Sequence, residues 1–286
     1  MAGISTRDIR RKIRTIRNIQ QICRAMAAVA SVRLRRALIR LEGARPYVSR
    51  IAALTSRLAA AGVEHPWLQP REEVRAEGSV VIGADKGLCG AYNVNLFRVA
   101  RQTIESAESP SLVLMGRRPS VLFRRLPYDV REVLALLTAE PQWEAVASIA
   151  DAAGALYDQG VWDRVRVIYT HFISTGKQEV AVEQVLPVEA DAAPGEAPGT
   201  AADYIFEPSA EGVLARLMPR YLRTRLFLAA LEASASEHAA RVIAMSAASE
   251  NAEEMIGTLT LQHHKARQAA ITRELTDIVG TAEALR

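Results

Sequence analysis

From Ile9 to Leu58, side chains on one helical face return in strict four-three alternation: Ile9, Ile13, Ile16, Gln20, Cys23, Ala27, Ala30, Leu34, Ala37, Leu41, Ala44, Val48, Ile51, Thr55 and Leu58. Only Gln20 and Thr55 are polar, and no arginine falls on this seam. A repeat held over about seven heptads predicts a single coiled-coil helix. Ser5 or Thr6 can cap its start, and Gly62 with Pro66 can end it. Pro46 is expected to bend the helix without stopping it, because the pattern resumes in phase. At 1.5 Å per residue the helix reaches roughly 80 Å.

The same spacing returns after "YIFEPSAEG". Leu214, Leu217, Tyr221, Thr224, Leu228, Leu231, Ala235, His238, Val242, Met245, Ser249, Ala252, Ile256 and Leu259 form a second seam. Near residue 260 it is expected to slip to Leu261, His264, Gln268, Ile271, Leu275, Ile278, Ala282 and Leu285, unwinding the supercoil locally. This helix would run about 75 residues, roughly 110 Å. The economical partner for each seam is the other, in antiparallel sense. The second helix is then longer by something like 30 Å, and its C-terminal end, with Ile271, Leu275, Ile278 and Leu285, carries an apolar face with nothing in the chain to cover it.

Between the helices the punctuation changes to that of an α/β domain. "SVVIG", "SLVLMG" and the weaker "DVREVL" read as strands; "NVNLFRVARQTIESA", capped by Asn93, "RRPSVLFRRL" and "WEAVASIADAAGALYDQG" read as helices. "RVRVIYTHF" and "QEVAVEQVLPV" alternate like two strands joined at "ISTGK". The fold class is therefore a long antiparallel coiled coil of terminal helices flanking a small Rossmann-like α/β domain. The segments are residues 1–62 for the first helix, 77–188 for the α/β domain, 189–210 for a Pro/Ala/Gly linker, and 211–286 for the second helix.

With 286 residues, 49% of them hydrophobic, the chain can bury a sizeable core. The low aromatic content (5%) and abundant Ala, Leu, Arg and Glu favour long helices over a β sandwich. No apolar run is long enough to span a bilayer, and no signal or transit peptide is recognisable, so a place on the cytoplasmic side is expected. Residues 1–40 carry eleven Arg and Lys against one acid, Asp8, so this end calls for an acidic partner.

Chemistry-bearing motifs are sparse. "GADKGLCGAYN" sits between a strand and a helix, where phosphate loops occur, but Lys86 precedes Gly87 and no Gly-Lys-Ser/Thr follows, so a tight turn is the better reading. Cys23 and Cys89 fit no metal spacing, and the adjacent His263 and His264 point to different helix faces, so no metal or cofactor is expected. Glu253 and Glu254 are neighbours on a solvated face, and no nucleophile has a motif around it, so no catalytic residue is expected. The arginines of the first helix lie on several sides of the seam without interleaved aromatics, which speaks against nucleic acid.

Three stretches resemble the signature regions of the F-type ATP synthase gamma subunit family, in that family's order and spacing: "TRDIRRKIRTIRNIQQICRAMAAVASVRLRRA", "GADKGLCGAYNVNLF" and "SEHAARVIAMSAASENAEEMIGTLTLQHHKARQAAITRELTDIVGTAEAL". "ARQAAITRELTDIV" is the most specific. The resemblance implies a rotor shaft standing in a ring of three alpha and three beta subunits, with its α/β domain and an epsilon subunit docked on the membrane c-ring, peripheral to the cytoplasmic face of the inner membrane. Ion flow would turn ring and shaft and drive the beta sites through different nucleotide affinities; the shaft itself has no catalytic site and enters no membrane. It further implies contacts with the surrounding ring at Arg267, Gln268, Thr272 and Glu274 near the tip. Lower down, Met26, Arg33, Arg35, Arg36 and Arg241 would face an acidic segment of beta. The chain departs from the family at Ala27 and Ala28, where Lys or Glu and then Met are usual, at Cys23, where Thr is common, and at Ala91, where a second Gly is usual. The regulatory cysteine insert of chloroplast forms is missing.

Three other readings compete: a homodimeric coiled-coil scaffold, which would want self-complementary seams of equal length; a small nucleotide-binding enzyme with helical arms, which would need a completed phosphate loop around Lys86; and an arginine-rich nucleic-acid-binding coiled coil, which would show steeply salt-dependent binding.

Overall fold

A computed structural model describes residues 6–60, 62–134, 140–188, 206–207 and 209–284. In chain order the elements are α1 (Thr6–Ala60), β1 (Ala76–Ile82), α2 (Tyr92–Glu105), β2 (Ser109–Met115), α3 (Arg117–Phe123), β3 (Asp129–Leu134), α4 (Trp143–Asp158), β4 (Arg164–Ser174), β5 (Lys177–Leu186) and α5 (Ala210–Ala284). They pack as two compact units, one from residues 30–241 and the other from residues 1–29 and 242–286. Most of the 189–210 linker lies outside the described residues.

In the larger unit the sheet order is β3-β2-β1-β4-β5; the first four strands are parallel, and β5 returns antiparallel from β4. Alternation along the strands feeds two cores. Val80, Ile82, Val113, Met115, Val165 and Val167 face α4 and the start of α5, while Val81, Leu112, Leu114 and Ile168 face α2 and α3. Leu34, Ala37 and Leu41 of α1 pack with Leu231, Ala235 and Ala239 of α5. Arg45 meets Glu232, whereas Arg33 acts on Glu237, so the two helices run antiparallel here. Pro46 lies within the unbroken α1. Gly62, at φ +78°, follows its end and donates to the Ala59 carbonyl at 3.1 Å, the left-handed exit that glycine permits.

In the smaller unit, Gln20 reaches the Ser249 carbonyl and Glu253 at 3.5 and 3.3 Å, and Arg24 reaches Ser249 Oγ and Glu253 at 3.3 and 3.1 Å. Cys23, Met245, Ser249 and Ala252 are buried around this contact. Extending equal rises along both helices brings Thr6 opposite about residue 266. The burial record agrees: Ile256, Leu259, Thr260, His263 and Ala266 are half-covered, and every residue from Arg267 on whose side chain is described is exposed.

This corrects the expected seam slip. The covered set His263 and Ala266 keeps the old phase, while Leu261, His264 and Gln268 of the shifted set are exposed. The described part of α1 supplies a partner only to about residue 266, so the apolar change of phase in the sequence is not answered by packing. Some 18 residues, roughly 27 Å, extend beyond the pairing.

Candidate functional site

The loop after β1 and the turn after β2 meet at the carboxyl ends of parallel strands, the usual ligand crevice of an open α/β sheet. Their closeness depends on glycine: Gly83 donates to the Met115 carbonyl at 2.9 Å, and Gly116 lies at φ +101°, where a Cβ would stand 2.2 Å from the Gly83 oxygen. An anion would need free N–H groups here. Instead Arg117 N donates to Asp85 Oδ1 and Arg118 N to the Ala84 carbonyl, both at 2.9 Å. The loop's own acceptors take these two donors.

What the loop does is grip α5. Leu88 and Gly90 adopt left-handed φ values of 60° and 57°, and Cys89 turns inward to pack with Ala84, Tyr92 and Ala240. Burial pushes the Cys89 thiol up, so it is held as the unreactive protonated form. The Tyr92 hydroxyl donates to the Ala233 carbonyl at 3.1 Å, and burial raises its pKa as well. Arg241 donates to the Gly87 carbonyl from Nη2 at 3.2 Å and to Glu237 Oε1 at 2.6 Å. Burial pushes the Glu237 carboxyl up, Arg241 pulls it down, and the smaller effects of Asp85 and Arg33 oppose each other. The "GLCGAY" motif is thus a latch that fastens the α/β domain to α5.

Asn93 is not the cap expected for α2. The helix begins at Tyr92 with Ala91 in the cap position and no side-chain cap bond, while Asn93 Nδ2 points to Cys89 Sγ at 3.2 Å. The inward turn of Cys89 draws Asn93 into the latch.

Among the residues singled out from the sequence, Met26 and Arg33 are half-buried; Arg35, Arg36, Arg267, Gln268, Thr272 and Glu274 are exposed; Arg241 is buried in the latch. Arg36, together with Arg40, faces Glu140 at 3.9 and 3.6 Å. Thr272 Oγ1 donates to the Gln268 carbonyl at 3.0 Å. Ile271, Leu275 and Ile278 are 48, 58 and 64% exposed; Leu285 lies outside the described residues. The structure therefore brings together Arg241 and the 83–91 loop, and leaves Ile271, Leu275 and Ile278 exposed on α5 with no partner among the described residues. Sequence reasoning missed Tyr92 and Glu237. The signal for the second was the Glu-to-Arg i,i+4 spacing beside the seam residue His238.

Among the described residues no three His, Cys, Asp or Glu side chains are grouped to hold a metal ion, and no helix is long and apolar enough to cross a membrane.

The family model described as ATP synthase matches residues 5–285. The chain is 42% identical over 288 residues to an ATP synthase gamma chain of Heliobacterium modesticaldum, covering 98% of both chains. It is 41% identical over 283 residues to that of Desulforamulus reducens, covering 98% of this chain and 99% of the relative. In fold it is similar to a chain in the OSCP/F1/c-ring structure of Euglena gracilis mitochondrial ATP synthase, with a TM-score of 0.71 at 18% identity over 98% of this chain and 94% of that one. Latch, paired helices and free helical end all lie inside these matches, and the chain belongs to the ATP synthase gamma chain family.

Proposed function

We infer that this chain, as the non-catalytic central stalk of an ATP synthase, converts ion-driven rotation of a membrane c-ring into changes at nucleotide sites on surrounding alpha and beta subunits, and runs in reverse during hydrolysis. One observation carries the reading: beyond about residue 266, where the described part of α1 no longer reaches, α5 presents Ile271, Leu275 and Ile278 to solvent. An apolar face of this kind is stable when sheathed, and apolar contact is non-directional, so a sheathed tip can turn without breaking fixed hydrogen bonds. The polar residues Arg267, Gln268, Thr272 and Glu274 supply angle-dependent contacts near the tip. Met26, Arg33, Arg35 and Arg36 do so lower down, with Arg241 acting there through the loop it holds.

The α/β domain, taken as residues 77–188, would dock with an epsilon subunit on the c-ring, the whole lying peripheral to the cytoplasmic face of the inner membrane. Neither nucleic acid nor a cofactor enters this reading.

Ile278→Asp places a carboxylate where the sleeve would strip it of water, which costs several kcal/mol on general grounds, about 2 to 7 for a neutral polar group and more for a charge. ATP-driven ion pumping by the assembled complex should fall for Ile278→Asp and hold for Ile278→Leu. Equal pumping from the two variants would contradict a sheathed tip.

A further inference from the structure

Residues 229–241 of α5, "AALEASASEHAAR", are enclosed over nearly all of their surface, yet most are Ala or Ser. Small side chains let the sheet and α1 approach closely, but they leave the helix surface without large knobs. Apolar packing alone gives such a surface little resistance to turning about its own axis, because the attraction has no preferred direction.

Directional contacts supply what the packing lacks. Ser236 Oγ donates to the Thr170 carbonyl of β4 at 3.0 Å in a buried position. One turn earlier, Glu232, with a side chain only 5% exposed, joins three elements: its Oε2 lies 2.5 Å from His171 Nδ1 of β4, and its Oε1 lies 3.8 Å from Arg45 of α1. A buried carboxylate is costly unless it is paired, and its partners here come from the sheet on one side and the other shaft helix on the other. The surrounding charges are arranged in pairs. Glu179 of β5, opposite His171 in the strand register, pairs with Lys177. Glu183 accepts from Tyr169 and Arg225, both at 2.6 Å.

We propose that Glu232, clasped by His171 and Arg45, is a positioning residue for rotary coupling, an anti-rotation pin that carries torque between the α/β domain and the helix pair. The inference rests on the stalk function given above. Both clasping groups reach Glu232 from the surface, with 42% of the His171 side chain and 49% of the Arg45 side chain exposed, so His171 can be exchanged with little risk to folding.

The test uses the complete ATP synthase reconstituted in vesicles with wild-type chain, His171→Ala, His171→Lys or Glu232→Gln, reading ATP hydrolysis and ion pumping in the same preparation. Loss of pumping per ATP hydrolysed is expected in His171→Ala and Glu232→Gln with hydrolysis retained. Recovery is expected in His171→Lys, whose ammonium can donate to Glu232 in place of the imidazole. A role confined to folding would lower assembly and both activities together and would not separate Ala from Lys at position 171; that result overturns the pin. Equal coupling in wild type and His171→Ala overturns it as well. A wild-type complex that hydrolyses ATP without pumping would instead overturn the stalk reading and the pin with it.

Discussion

Gly78→Ala should destabilise the full chain by about 3 kcal/mol or more, seen as a lower urea midpoint. Gly78 lies in β1, at the centre of the sheet, paired with β2 on one side and β4 on the other. A Cβ there would stand 2.3 Å from the ring of Trp162, which has no exposed surface. Neither side can yield: the strand is fixed by two ladders, and the indole is enclosed on all sides. Trp162→Leu makes room at the cost of a cavity, so the double variant should lose less than the sum of the two single losses. Additive losses would contradict the direct contact.

Arg241→Ala is the second large effect, about 3 to 5 kcal/mol, the general cost of removing one partner of a buried ion pair. The guanidinium spans the Gly87 carbonyl and Glu237, and its loss leaves the Glu237 carboxylate enclosed with Asp85 nearby. Amide hydrogen exchange should accelerate in residues 84–92, which lose their tie to α5, while β4 and β5 keep their protection. Glu237→Gln combined with Arg241→Ala should recover part of the stability, because the stranded charge is gone. Arg241→Lys should fall between, since one ammonium cannot reproduce the planar fork that meets both acceptors. Unchanged exchange in the loop would show that apolar packing of Cys89 and Tyr92 holds it alone.

Much of this architecture is legible in the sequence because it follows from periodicity. The α1 seam from Ile9 to Leu58 is buried or half-buried at every position, Gln20 and Thr55 included. The strands around Val80, Val113 and Val167 and the helix at Trp143–Asp158 follow from alternation and helical spacing in the same way. What periodicity cannot supply is the presence of a partner. The shifted stripe of Leu261, Ile271 and Leu275 is real in the sequence, but Leu261 points away from α1, and among the described residues no second helix stands opposite Ile271 and Leu275.

The latch was hidden for a related reason. "GLCGAY" is recognisable as a glycine-rich turn, yet its function depends on Arg241, a residue 154 positions away from Gly87. His171 and Glu232 are likewise 61 positions apart and come together only when β4 settles on α5. Long-range polar pairs are fixed by topology, so sequence spacing alone gives them no signature. Asn93 illustrates local signal losing to tertiary packing: a good capping residue is redirected toward Cys89 once that thiol is buried.

The most direct measurement is the subunit composition of the complex that co-purifies with the full chain from its own membranes, by native mass. One copy of this chain with three alpha and three beta subunits, and ATP hydrolysis belonging to that complex, is the expected result. Recovery of the chain as a homodimer without those partners would contradict the stalk.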